Sequence, residues 1–186
     1  MKFIKTALLD VVIIEPTIFK DQRGYFYESF NQEKFNANIG ENIDTINFIQ
    51  DNESKSTFGV LRGLHFQKPP FSQAKLVRCN KGKVLDVVVD LRKKSPTFGK
   101  HITVLLSEEN KKQLFVPRGF AHGFVVLSEE AIFSYKVDNT YAPSYEDGIL
   151  WNDKTLNIDW NIAQEKVILS AKDEILGNFN QFYSPF

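Results

Sequence analysis

The chain of 186 residues has a single cysteine, Cys79, so no disulfide can form within it. A chain of this length can close an apolar core without disulfide staples, and the lack of them favours a reducing compartment. Cys79 lies in the run Leu76-Val77-Arg78-Cys79, the setting of a packed thiol rather than a nucleophile. Excess charge is also lacking: 23 basic residues balance 23 acidic ones. A general polyanion binder carries a basic surplus, which argues against nucleic acid as a partner. A small anionic ligand needs only two or three placed Arg or Lys side chains. No apolar run approaches the ~20 residues a membrane-spanning helix requires, so no membrane partner is expected. The opening stretch MKFIKTALLDVVIIEP lacks a small-residue cleavage site, and Asp10 and Glu15 interrupt it. The expected location is the cytoplasm. No repeat, low-complexity tract or linker divides the sequence, which reads as one domain over residues 1–186 with a short C-terminal extension.

What is abundant is phenylalanine, at 17 residues, in a chain that is 13% aromatic. This suits an aromatic-rich β core or a subunit interface better than a helical bundle. Short β-like segments broken by turn residues dominate. They fall at 11–14, 76–79, 84–92, 102–106, 113–117, 122–127 and 131–137. In VLDVVVDLR, Leu85, Val87, Val89 and Leu91 face one way, and Asp86, Val88 and Asp90 the other. Asn80-Lys81-Gly82 reads as a turn. Segments 113–117 and 122–127 read as a pair around a turn at Arg118-Gly119. Helices are expected at 31–39, from an Asn cap to Gly40, and near Ser170–Leu176, where Ser170 and Asp173 are spaced as a capping box. The fold class is all-β dominated, with a few short helices. Pattern alone leaves jelly roll, Greek-key sandwich and other barrels open.

There are three histidines, and no H-x-H or H-E-x-x-H pattern that would mark a metal site. His65 lies in GVLRGLHFQ, three residues after Arg62. In a regular strand these two side chains point to opposite faces, so a bulge or bend near Gly63 is needed to bring them together. The plainer alternative is a surface arginine and a satisfied core histidine. His122, in VPRGFAHGF, sits beside small residues that leave room for a ligand; the alternative is a strand-start histidine bonded to backbone. His101 follows a turn and is given no role. Asp21-x-Arg23-Gly24-x-Phe26-x-Glu28 interleaves polar and aromatic residues, and Arg23 could grip a diphosphate by bidentate hydrogen bonds. Alone, it is a turn with an exposed arginine. Tyr135 and Tyr141 are ordinary strand tyrosines by default, and Asp173 an ordinary helix cap.

Together these segments resemble the dTDP-4-dehydrorhamnose 3,5-epimerase family over residues 3 to 176. The anchors are DQRGYFYESF at 21–30, FIQDN at 48–52, GVLRGLHFQ at 59–67, QAKLVRC at 73–79, GKVLDVVVDLRKKSPTFG at 82–99, VPRGFAHGF at 116–124, WND at 151–153 and LSAKD at 169–173. The resemblance implies a cupin-type jelly roll, a homodimer, and neither metal nor nicotinamide. It implies His65 as base, Asp173 as its carboxylate partner and Tyr135 as the acid on the other face of the sugar. Lys75 and Arg62 would line the sugar site. Arg23, Glu28, Gln50, Asn52, His122, Glu146 and Lys172 match substrate-contacting positions. Lys154 and Asn161 stand where the family often has proline, which bears on loop rigidity rather than on the reaction.

The chemistry fits these residue types. Hydrogens on C3 and C5 of a 4-keto-6-deoxy sugar flank the ketone, so loss of either gives an enolate without a redox cofactor. Histidine is a base suited to neutral pH, and a carboxylate on its other nitrogen fixes the tautomer. A phenol across the ring supplies the inverting proton, and Lys75 can face the oxyanion on O4, a contribution of ~3 kcal/mol per donor. The expected substrate is dTDP-4-keto-6-deoxyglucose, its thymine stacked on Phe26 or Tyr141. Arg23–Glu28 is the segment expected to cross into a partner's site. Three other readings stay open: a single-centre epimerase, a metal-dependent cupin and a non-catalytic sugar-nucleotide binder.

Overall fold

The computed structural model describes residues 1–40 and 43–186. Its strands in chain order are β1 (Lys2–Lys5), β2 (Val12–Glu15), β3 (Phe19–Asp21), β4 (Gly24–Phe26), β5 (Gln50–Thr57), β6 (Leu61–Gln67), β7 (Lys75–Lys81), β8 (Lys83–Asp90), β9 (His101–Ser107), β10 (Gln113–Val116), β11 (Phe120–Val126), β12 (Glu130–Val137) and β13 (Glu146–Gly148). Two short helices, α1 (Gln32–Asn36) and α2 (Ala171–Glu174), complete the regular structure apart from three single turns. None of the described helices is long and apolar enough to cross a membrane.

Two antiparallel sheets face each other. One has the order β1-β2-β10-β7-β12-β5 and the other β13-β6-β11-β8-β9, while β3 and β4 form a separate hairpin. This is the two-sheet jelly roll of cupins. Between the sheets pack Val77, Val84, Val88, Leu114, Phe124, Phe133 and their neighbours. Both outer faces are covered as well. The C-terminal segment lays Trp151, Trp160, Phe179, Phe182 and Phe186 over the β6-β11-β8 face. The α1 region lays Phe35 and Ile39 over Val12, Ile14, Leu76 and Phe115. Burial on two faces explains β8: Leu85, Val87, Val89 and Leu91 meet the C-terminal cover, and Val84 and Val88 face the interior.

Three sequence expectations need correcting. β10 and β11 do not pair: β10 lies between β2 and β7, β11 between β6 and β8. The chain changes sheets at Arg118-Gly119, and a short turn looks the same in sequence whether it closes a hairpin or crosses a sandwich. The helix expected at 31–39 stops at Asn36, although Asn31 caps it by accepting the Lys34 N–H. His101, assigned to a turn, begins β9 opposite Val89. Cys79 is buried, and burial pushes its thiol up to about 12, as an inert packed thiol requires. Asn161 adopts φ of 54°, a conformation closed to proline. The Asp153 carboxylate holds that connection by accepting from the N–H groups of Thr155, Leu156 and Phe179.

Candidate active site

A cavity of about 480 Å³ opens between the sheets, lined by side chains from β5, β6, β7, β11, β12 and α2. The bend required at Gly63 exists. His65 stands opposite His122 in the β6–β11 pairing, but Arg62 stands opposite Phe124, so the register slips between them. Gly63 has φ of 130°, and a Cβ there would lie 2.5 Å from the Gly123 Cα. Only glycine fits this close approach of two strands. The slip lets Arg62 and His65 both reach the cavity.

His65 Nε2 is hydrogen-bonded to Asp173 Oδ1, across 108 residues of sequence. Asp173 is carried there by a bridge between Val60 and Ile168, sealed by hydrogen bonds from Leu61 N to Ile168 O and from Ile168 N to Gly59 O. Ser170 caps α2 and donates to Asp173 Oδ2 at 3.0 Å. Burial opposes ionisation of Asp173, but the bonds from His65 and Ser170 outweigh it and hold the carboxyl below its ordinary range. Asp173 is therefore both helix residue and imidazole partner.

Tyr135 enters from β12, on the facing sheet, and is half-buried; burial raises its phenol above the usual 10, so it keeps its proton at neutral pH. Lys75, from β7, is lowered by burial to about 8, with Glu146 and Asp86 opposing the drop. Glu146 on β13 sits at the rim. It accepts from Lys172 Nζ and from the Tyr141 hydroxyl, each at 2.5 Å. Burial raises the Glu146 carboxyl, and these two donors bring it net below its ordinary range.

The sequence reading missed Asp86. His122 Nε2 lies 3.0 Å from both Asp86 oxygens, in a pair that is almost wholly buried. Burial raises the Asp86 carboxyl against the pull of His122. The signal was present: an aspartate inside VLDVVVDLR, on a strand apolar on both faces, needs a buried partner. Among the described residues there is no group of three or more His, Cys, Asp or Glu side chains arranged to hold a metal ion.

Of the twelve residues marked in sequence, the cavity gathers His65, Tyr135, Asp173, Lys75, Arg62, His122 and Lys172, with Glu146 joined to it through Lys172. Gln50 and Asn52 bond to each other on β5, beside that group. Arg23 and Glu28 do not reach it. Arg23 is 84% exposed on the β3–β4 hairpin and pairs with Asp21, while Glu28 pairs with Lys34.

The family model for dTDP-4-dehydrorhamnose 3,5-epimerase matches residues 5–181. The chain belongs to this family. The dTDP-4-dehydrorhamnose 3,5-epimerase of Shigella flexneri is 56% identical over 173 residues, 93% of each chain. The crystal structure of dTDP-4-dehydrorhamnose 3,5-epimerase from Elizabethkingia anophelis NUHP1 superposes with a TM-score of 0.93 at 55% identity, covering 98% of this chain and 99% of that one. A dTDP-6-deoxy-D-glucose-3,5-epimerase from Legionella pneumophila Philadelphia 1, solved with dTDP-4-keto-L-rhamnose, gives 0.92 at 46% identity, covering 98% and 94%. Epimerase-family membership thus covers the strands and the C-terminal segment that together build the cavity.

Proposed function

We propose that the protein converts dTDP-4-keto-6-deoxy-D-glucose to dTDP-4-keto-L-rhamnose by inverting C3 and C5, in dTDP-L-rhamnose biosynthesis. The observation that carries the residue assignment is that His65 and Tyr135 line one cavity from facing sheets. A hexose between them has a base on one face and an acid on the other.

His65 takes the C3 or C5 proton. The C–H electron pair forms the C=C bond of the enolate, and the carbonyl pair moves onto O4. Asp173 stabilises the imidazolium. The Lys75 ammonium donates to O4; with its titration near 8, it stays mostly charged at neutral pH. Tyr135 delivers a proton to the opposite face as the C=C pair returns to carbon. The imidazolium then gives its proton to solvent and the phenolate regains one, so the enzyme is restored at no net cost in protons. His122, held by Asp86, is a further polar wall of the sugar pocket. Arg62, expected to line the sugar site, is assigned with Lys172 to the diphosphate side instead, because its guanidinium has no carboxylate partner among the described residues.

The active unit is a homodimer in the cytoplasm, built from one domain per chain. Support for the dimer comes from the β3–β4 hairpin. Phe19, Tyr25 and Phe26 are all more than half exposed there, and Arg23 and Glu28 do not reach the cavity that holds His65 and Tyr135 in their own chain. In a two-fold dimer such a hairpin completes the neighbour's site. Tyr141, bonded to the rim carboxylate Glu146, is placed to stack on thymine from within the chain, and Phe26 to do so from the partner.

Turnover of dTDP-4-keto-6-deoxyglucose in heavy water tests the reaction. Deuterium at both C3 and C5 is expected; deuterium at one carbon alone rejects double inversion. His65→Ala should lose turnover by ~10³-fold while dTDP still binds. Normal turnover in that variant removes the base assignment.

A further inference from the structure

Three cations border the cavity, and they differ in what holds them. Lys172 is tied to Glu146 at 2.5 Å, and Lys75 lies in the field of Glu146 and Asp86. Arg62 has no carboxylate within ion-pair distance among the described residues. Its guanidinium is instead held by a neutral group: Nε and Nη2 both donate to Ser56 Oγ, at 3.3 and 3.1 Å.

The bond has a direction. Ser56 is 7% exposed and does not line the cavity, whereas Arg62 does. The serine therefore sits behind the guanidinium and takes the Nε–Nη2 edge. The other edge, Nη1 with the second Nη2 hydrogen, makes no hydrogen bond among the described residues and is left as a two-pronged donor, the geometry that matches two oxygens of a phosphate. A neutral acceptor fixes the plane of the fork without cancelling its charge. A carboxylate in the same place would fix it and neutralise it. Ser56 can do this because it belongs to β5 in one sheet and Arg62 to β6 in the other. The bond crosses the mouth of the sandwich, beside the turn joining the two strands.

We infer that Ser56 is a positioning residue that aims the Arg62 guanidinium at the substrate diphosphate. The inference rests on the proposed function, in which Arg62 meets that diphosphate. Ser56 touches no reacting atom, so its effect falls on binding.

The test is a double-mutant cycle read by calorimetry, with dTDP and thymidine as probes, alongside steady-state kinetics. Ser56→Ala should weaken dTDP about five- to tenfold and raise KM similarly, with kcat within about twofold. Thymidine, which has no phosphate, should bind it as it binds the unaltered protein. Ser56→Cys, near in size but a poor acceptor, should behave like Ser56→Ala and serves if the alanine variant does not fold. Ser56→Thr, which keeps the oxygen, should restore affinity. Arg62→Met should weaken dTDP, and adding Ser56→Ala should weaken it no further. A purely structural serine would instead add its full loss on the Arg62→Met background, or weaken thymidine as much as dTDP; either result overturns the inference. Undiminished dTDP binding by Arg62→Met removes the diphosphate assignment itself. Weak binding by Arg62→Met with normal binding by Ser56→Ala removes only the role of Ser56.

Discussion

Lys75 is where stability and activity pull apart, and replacing it with methionine measures both. Burial lowers its ammonium from the ordinary 10.5 of lysine to about 8. At roughly 1.4 kcal/mol per pH unit, that drop corresponds to a penalty of at most ~3.5 kcal/mol for holding the charge in the fold. Lys75 lines the open cavity and is only partly buried, so solvent screens part of the charge, and a cost of about 1–3 kcal/mol is expected. The sign follows from proton counting. Below about pH 8 both folded and unfolded chains carry the proton, and the penalty is fully present. Between about 8 and 10.5 the unfolded chain holds more protons than the folded one, so stability rises with pH and the penalty fades. Lys75→Met keeps the apolar stem and removes the charge. It should be more stable than the parent by about 1–3 kcal/mol at pH 7, and the two should converge toward pH 10.5. Turnover should fall by ~10²-fold or more as the oxyanion loses its donor. Urea unfolding at pH 7, 8.5 and 10 gives the stability difference, and a coupled reductase assay gives the rate. A methionine variant less stable than the parent at pH 7, or a difference that does not change with pH, refutes the reasoning.

Other outcomes follow from the same geometry. Asp86→Ala leaves His122 buried without its partner and should cost about 3–5 kcal/mol by chemical denaturation; a loss under about 1 kcal/mol contradicts the buried pairing. Gly63→Ala puts a Cβ 2.5 Å from the Gly123 Cα at φ of 130°, so little soluble protein, or a thermal midpoint lowered by well over ten degrees, is expected. Mixing inactive Arg23→Ala chains with inactive His65→Ala chains should regenerate activity, because one site of each hybrid dimer then combines an intact hairpin with an intact base. No recovery after subunit exchange rejects the crossing hairpin.

Local pattern carried some of this architecture and not the rest. The alternation in VLDVVVDLR was legible because period-two burial is written into one strand. Asn31 and Ser170 were legible as caps because a cap acts on residues two or three away. The sheet crossing at Arg118-Gly119 was not, since partner choice is a long-range packing outcome. The pairing of Asp86 with His122 depends on β8 and β11 lying side by side, with Asp86 opposite Phe124. No spacing reveals that. The segment YFYESF interleaves polar and aromatic residues, and Tyr25 and Phe26 stand exposed in the chain by itself, as the proposed dimer contact requires. His65 and Arg62 came together only because Gly63 breaks the strand, a condition that the sequence could pose and the fold had to meet.

The central claim is that a base and an acid address one sugar from facing sheets, and Tyr135→Phe in heavy water tests it most directly. With the phenol removed and His65 intact, the substrate should take up deuterium at C3 and C5 without inversion, because the imidazolium, exchanged with solvent, returns a deuteron to the face it deprotonated. His65→Ala should show neither exchange nor inversion. Inversion by Tyr135→Phe at the parent rate, or exchange in the absence of His65, contradicts the account.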